Sequence, residues 1–111
     1  MKSKNINNYL NNYFLSWQSK DIKEIEELLD ESCVLVDWEV KLLNRIDILK
    51  LNKALFEKVD EIHLKIVNQS VTGLVTYSHL DIEIDNEKIN VVDKITFNKK
   101  NKIIKIEAFK C

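Results

Sequence analysis

Proline is absent from this 111-residue chain, and glycine occurs once, at Gly73. Turns must therefore be made by Asn, Asp and Ser, and collagen-like or Pro/Gly-rich disordered architectures are excluded. Cysteine is scarce. Cys33 and Cys111 have no metal-ligand spacing, so they read as reduced thiols, with the cytoplasm as the expected location. Histidine is equally rare. His63 and His79 fall on the polar side of their segments without clustered Cys or Glu, so neither a metal nor a cofactor is expected. Charge of one sign is also lacking: 17 Lys+Arg face 18 Asp+Glu, for a formal charge of -1. No bulk field recruits nucleic acid or an anionic membrane. The late lysines Lys99, Lys100, Lys102 and Lys105 read as a turn and a solvated strand face. No apolar run approaches a membrane span, and the N-terminal stretch has no apolar signal core.

What remains is a globular balance, 45% hydrophobic and 32% charged, in a length that fits one domain over residues 1–111. Ile6, Tyr9, Leu10, Tyr13, Phe14 and Trp17 recur at the i, i+3, i+4, i+7 spacing of one helix face. Asp21, with Glu24 three residues on, has the form of an N-cap. It opens a short second helix whose buried stripe is Ile22, Ile25, Leu28 and Leu29. Residues 33–38 are β-branched and short, which predicts a strand. Asn44 with Asp47 predicts a third helix that sends Ile48, Leu51, Leu55 and Phe56 inward.

The period changes to two after Val59. Ile62, Leu64 and Ile66 alternate with polar residues, and Leu74, Leu80, Ile82 and Ile84 share a parity in the next strand, with Asn68–Ser70 as the turn between. Turns at Asp85–Glu87 and Asn98–Asn101 then separate two further strands, and Asn101 is placed to supply a left-handed residue where glycine is missing. Helices followed by consecutive hairpins predict an α+β fold: a curved antiparallel sheet with the helices on its concave face, closing a cone.

Three residues stand out chemically. Asp93 shares a strand face with Ile89, Val91, Ile95 and Phe97, so one carboxyl group sits at the centre of an apolar surface. Such an acid either finds donors and organises the core, or keeps its proton and becomes a hydrogen-bond donor. Asp37, at the end of the first strand, suits either a general base at a pocket mouth or a turn former. Tyr13, between Tyr9 and Trp17 on the helix face, packs its ring and leaves a hydroxyl that needs a partner.

The run from Asn11 through Tyr13, Trp17 and Asp21 to Val36-Asp37 resembles steroid Δ-isomerases (ketosteroid isomerases) of the NTF2-like and SnoaL-like superfamily. The late stretch Asp93 to Asn98, followed by Lys102-Ile103-Ile104 and Glu107-Ala108-Phe109, is similar to the same family's ending. The resemblance implies an NTF2-like cone with an apolar pocket. In it Asp37 would move a proton between two carbons of an enolisable carbonyl compound, while Tyr13 and a protonated Asp93 donate to the oxyanion. It implies no cofactor, a small hydrophobic ligand lined by Trp17, Trp38, Val91 and Ile95, and a homodimer through the outer sheet face, where Val67, Val75, Tyr77 and Val92 lie. One departure is clear: Trp38-Glu39-Val40 follows Asp37 where isomerases have a small Pro- and Gly-containing loop. Three functions stay open: an isomerase or cyclase-like enzyme, a non-catalytic ligand-binding domain, or a dimeric assembly module with a filled cone.

Overall fold

The computed structural model describes residues 2–111, with side chains from Ile6 onward. Helix α1 (Lys2–Gln18) buries Ile6, Leu10, Tyr13 and Phe14 along one face, the stripe its periodicity predicts. Asp21 caps α2 (Ile22–Leu28), its side chain accepting the Glu24 amide N–H at 3.0 Å. Leu29 does not extend that helix. It begins β1 (Leu29–Val36), because the chain turns extended there to pair with the last strand, and only Ile25 and Leu28 are buried from α2.

Asp37 to Val40 form a tight turn into β2 (Lys41–Leu42), a two-residue strand that the sequence pattern does not announce. Asn44 caps α3 (Arg45–Lys58) by accepting the Asp47 amide N–H at 2.9 Å. The buried stripe of α3 is Ile48, Asn52 and Phe56, whereas Leu51 is exposed toward the rim of the interior.

Strands β3 (Ile62–Thr72), β4 (Val75–Ile84), β5 (Glu87–Phe97) and β6 (Ile103–Lys110) complete one sheet of order β2-β1-β6-β5-β4-β3. Asn68–Ser70 is not a turn. Those residues continue β3 past a bulge after Ile66, and Ile66 itself is exposed. The chain reverses instead at Gly73, whose φ of +61° is cheapest without a side chain. The expected turns at Asp85-Asn86 and Asn98–Asn101 do form. Asp85 and Asn86 take φ values of 49° and 73°, and Asn101 takes 65°. Asp85 also accepts the backbone N–H groups of Asp60 and Glu61, tying the end of α3 to this hairpin.

The sheet is mixed rather than wholly antiparallel, because β1 runs parallel to β6. Helix α3 and the hairpins between β1 and β6 carry the chain across and make that pairing possible without a tight turn. The sheet is curved and unclosed, and the helices cover its inner face. Leu80, Val91, Ile95, Phe97, Ile103 and Ile106 are buried on that face against α1 and α3.

Candidate functional site: an apolar cavity with two acids

Alternation along β5 points Ile89, Val91, Asp93, Ile95 and Phe97 inward, and cross-strand register decides what surrounds each. Asp93 lies opposite Ser78 of β4 and Ala108 of β6. The row through the acid is thus made of small side chains, flanked by rows containing Leu80 with Val91 and Ile95 with Ile106. Small residues at the centre of an apolar face leave room above them. A cavity of about 380 Å³ occupies the interior between this sheet floor, α1 and α3. That volume falls at the lower end of the roughly 300–1,000 Å³ typical of small-molecule sites.

Tyr13, Trp17, Trp38, Val91, Asp37 and Asp93 all line this cavity. Ile95 does not. It is fully buried in the core beneath the cavity wall, because the Thr76–Ile95–Ile106 row packs directly against its neighbours. Aliphatic side chains from α3, β4 and β5 make up half of the remaining lining.

Asp93 forms no side-chain hydrogen bond among the described residues. Burial raises its carboxyl pKa from the usual carboxylate range to about 7, with no donor to oppose the effect. The hydroxyl of its neighbour Ser78 accepts from Gln69 Nε2 at 3.1 Å and makes no hydrogen bond to Asp93 among the described residues. The Tyr13 hydroxyl is held well above the ordinary tyrosine range, first by burial and then by the nearby charges of Asp93 and Cys33, with the Trp17 indole acting in the opposite direction. Tyr13 therefore keeps its proton at neutrality and Asp93 keeps its own up to about pH 7, and both face a space with few competing polar atoms.

Asp37 is placed differently. Its Oδ1 accepts the backbone N–H groups of Glu39 at 2.7 Å and Val40 at 2.8 Å, and its own N–H donates to the Val40 carbonyl at 3.0 Å. One carboxylate oxygen thus builds the turn, and Oδ2 accepts nothing among the described residues. Trp38, next in sequence, is exposed at the rim, with the Lys110 ammonium 5.8 Å from its ring centroid. On the opposite wall, Trp17 meets Phe56 edge-on at 4.9 Å, joining α1 to α3.

One cavity residue lies outside the sequence reading. Asn52 is 4% exposed and lines the cavity, and its amide nitrogen has no hydrogen-bond partner among the described residues. An orphaned buried donor costs about 1–3 kcal/mol. The available signal was a single polar residue four positions from Ile48 and four from Phe56, in the middle of an apolar helical stripe. No cluster of metal-ligating side chains occurs among the described residues, and no helix is long and apolar enough to cross a membrane.

No protein-family model and no curated protein matches this sequence. Solved structures do match. An NTF2-like protein of unknown function from Burkholderia xenovorans LB400 superposes with a TM-score of 0.85 at 13% identity, over 99% of this chain and 85% of its own. A candidate ketosteroid isomerase from Kribbella flavida gives 0.85 at 14% identity, over 97% of this chain and 78% of its own. An LEH-like epoxide hydrolase from M. tuberculosis gives 0.83 at 11% identity, over 97% of this chain and 84% of its own.

Proposed function

We infer the chemistry of this chain from its NTF2-like fold, the fold shared by those structures. We propose that the chain binds a small, mostly apolar carbonyl compound in its cavity and moves a proton between two carbons of that compound without a cofactor. The observation that carries this reading is the pairing of Asp93 with Tyr13. Two protonated oxygen groups share an apolar cavity in which Asp93 has no protein partner. In the proposed step, Asp37 Oδ2 takes a proton from the carbon beside the carbonyl, and the electron pair moves onto the carbonyl oxygen. Tyr13 and neutral Asp93 donate hydrogen bonds to that oxyanion; where the compound carries a β,γ carbon–carbon double bond, the carbonyl re-forms, the double bond shifts into conjugation and Asp37 returns the proton to the γ-carbon. Atoms and charge balance with no oxidant or reductant. Trp17, Trp38 and Val91 would hold the apolar body of the compound, and Ile95 would support Asp93 from below.

A second reading, ligand binding without turnover, is favoured by the two amide bonds that engage Asp37 Oδ1 in its turn. The cavity speaks against an assembly module with a filled interior. Pairing of two copies through the outer sheet face fits either of the first two readings. There Tyr77 and Phe109 are exposed beside Val75 and Val92, with Lys94 and Glu107 between them.

Exchange of the α-protons of 1-tetralone in deuterium oxide, followed by proton NMR, tests the catalytic step. The wild-type protein should accelerate exchange, and Asp37→Asn should slow it by about 10²–10⁴-fold while leaving ketone binding intact. Binding without acceleration would establish the second reading, and full exchange by Asp37→Asn would remove Asp37 from the mechanism.

A further inference from the structure

Asn52 sits in the middle turn of α3, between Ile48 and Phe56 on the buried stripe, where an aliphatic side chain would complete the core. Among the described residues its amide nitrogen has no hydrogen-bond acceptor. Neighbouring α3 residues do not share this position: Leu51 and Leu55 also line the cavity, and both are apolar. A buried, unpartnered amide is the kind of group a binding site keeps for its guest, because the missing hydrogen bond is then made only in the complex. The last torsion of an asparagine is broad and soft, so the nitrogen can turn toward a guest at little cost.

We propose that Asn52 is the orienting residue of the cavity, donating its amide N–H to an acceptor oxygen on the guest that is distinct from the carbonyl held by Tyr13 and Asp93. The guest class is therefore a compact apolar ketone carrying a second oxygen, as an ether, ester or second carbonyl, toward α3. This proposal rests on the reading of the cavity as a carbonyl-compound site. It adds a specificity determinant on a different element from the residues that carry the chemistry. A guest with a plain hydrocarbon at that end leaves the amide unpaired and gains nothing from it, so discrimination between the two is expected to be about tenfold, the equivalent of one net hydrogen bond.

The test uses the full chain, as wild type and as Asn52→Leu, with 1-tetralone and its 5-, 6- and 7-methoxy and matching ethyl derivatives. Affinities come from calorimetry, thermal stability from melting, and the Asn52 side-chain amide signal, assigned by its loss in Asn52→Leu, from ¹H–¹⁵N NMR. At one ring position the methoxy ketone should bind the wild type about tenfold more tightly than its ethyl isostere and should move the Asn52 amide signal. Asn52→Leu should erase that preference and melt no lower than the wild type. A preference that persists in Asn52→Leu, the absence of any methoxy preference in the wild type, or a clear drop in the melting temperature of Asn52→Leu would each overturn the proposal. α-Proton exchange in the same samples separates the two claims. Preference without exchange refutes the catalytic reading alone, and exchange without preference refutes the role of Asn52 alone.

Discussion

Around Asp93 the cavity wall is sheet on both sides, with Ser78 and Ala108 as cross-strand neighbours, and no donor among the described residues reaches the carboxyl group. Around Asp37 the wall is a four-residue turn at the rim, where two backbone amides hold one carboxylate oxygen and Trp38 stands exposed. The same side chain thus meets opposite conditions a short distance apart in one interior. On the floor, burial favours the neutral acid; at the rim, two amide donors fix one carboxylate oxygen and leave the other without a partner among the described residues. Dividing acid and base roles between two aspartates needs only this difference in surroundings, with no difference in residue type.

The largest effect that tests this contrast is on stability. Folded Asp93 holds its proton up to a pH of about 7, while the unfolded chain releases it in the ordinary carboxylate range. The folded state therefore binds more protons between those limits, so this group makes stability fall as pH rises from about 4 to about 7 and then level off. At ~1.4 kcal/mol per pH unit the loss amounts to about 4 kcal/mol. Asp93→Leu should remove that slope and be more stable than wild type at pH 8, by urea unfolding at pH 5 and pH 8. An unchanged slope in the variant would mean that another group titrates and that floor and rim are not so different. The proposed catalysis should also decline in wild type above about pH 7, as Asp93 loses the proton it donates.

At the rim the expected effect is smaller and falls on binding. Trp38 is 46% exposed, so Trp38→Ala should change unfolding stability by less than about 0.5 kcal/mol. It should weaken ketone affinity by about three- to tenfold through the lost aromatic contact, measured by calorimetry. A large stability loss with unchanged affinity would make the rim structural instead. The smallest effect extends the comparison to sulfur. Burial, reinforced by Asp30, pushes the Cys33 thiol up to about 12, whereas Cys111 is exposed. A disulfide reagent at pH 8 should therefore modify one thiol of the folded chain and the second only on unfolding.

Much of this architecture is legible along the chain. The α1 face from Ile6 to Trp17, the Asp21 and Asn44 caps, the Asp85-Asn86 turn and the left-handed Asn101 all depend on neighbours within about four residues. Local periodicity and capping chemistry record such features directly. The misreadings share a cause. Leu29 continues a helical stripe by spacing, yet it is drawn into β1 by pairing with Ile103, 74 positions away. Asn68–Ser70 has turn-forming composition, yet pairing with Tyr77, Ser78 and His79 keeps it extended. Ile95 shares the parity of Asp93, yet its cross-strand partners Thr76 and Ile106 fill the space beside it.

By itself the sequence determined the helix faces, most of the turns and the presence of one inward acid on an apolar strand face, because each is set by the geometry of a single element. Only the tertiary structure brought Ser78, Asp93 and Ala108 side by side across three strands and set a cavity of about 380 Å³ against Asp93. It also decided that Asp37 spends one oxygen on its turn and that Asn52 is left without a partner. Space and unmet hydrogen bonds belong to groups brought together from distant positions, and no local pattern records them.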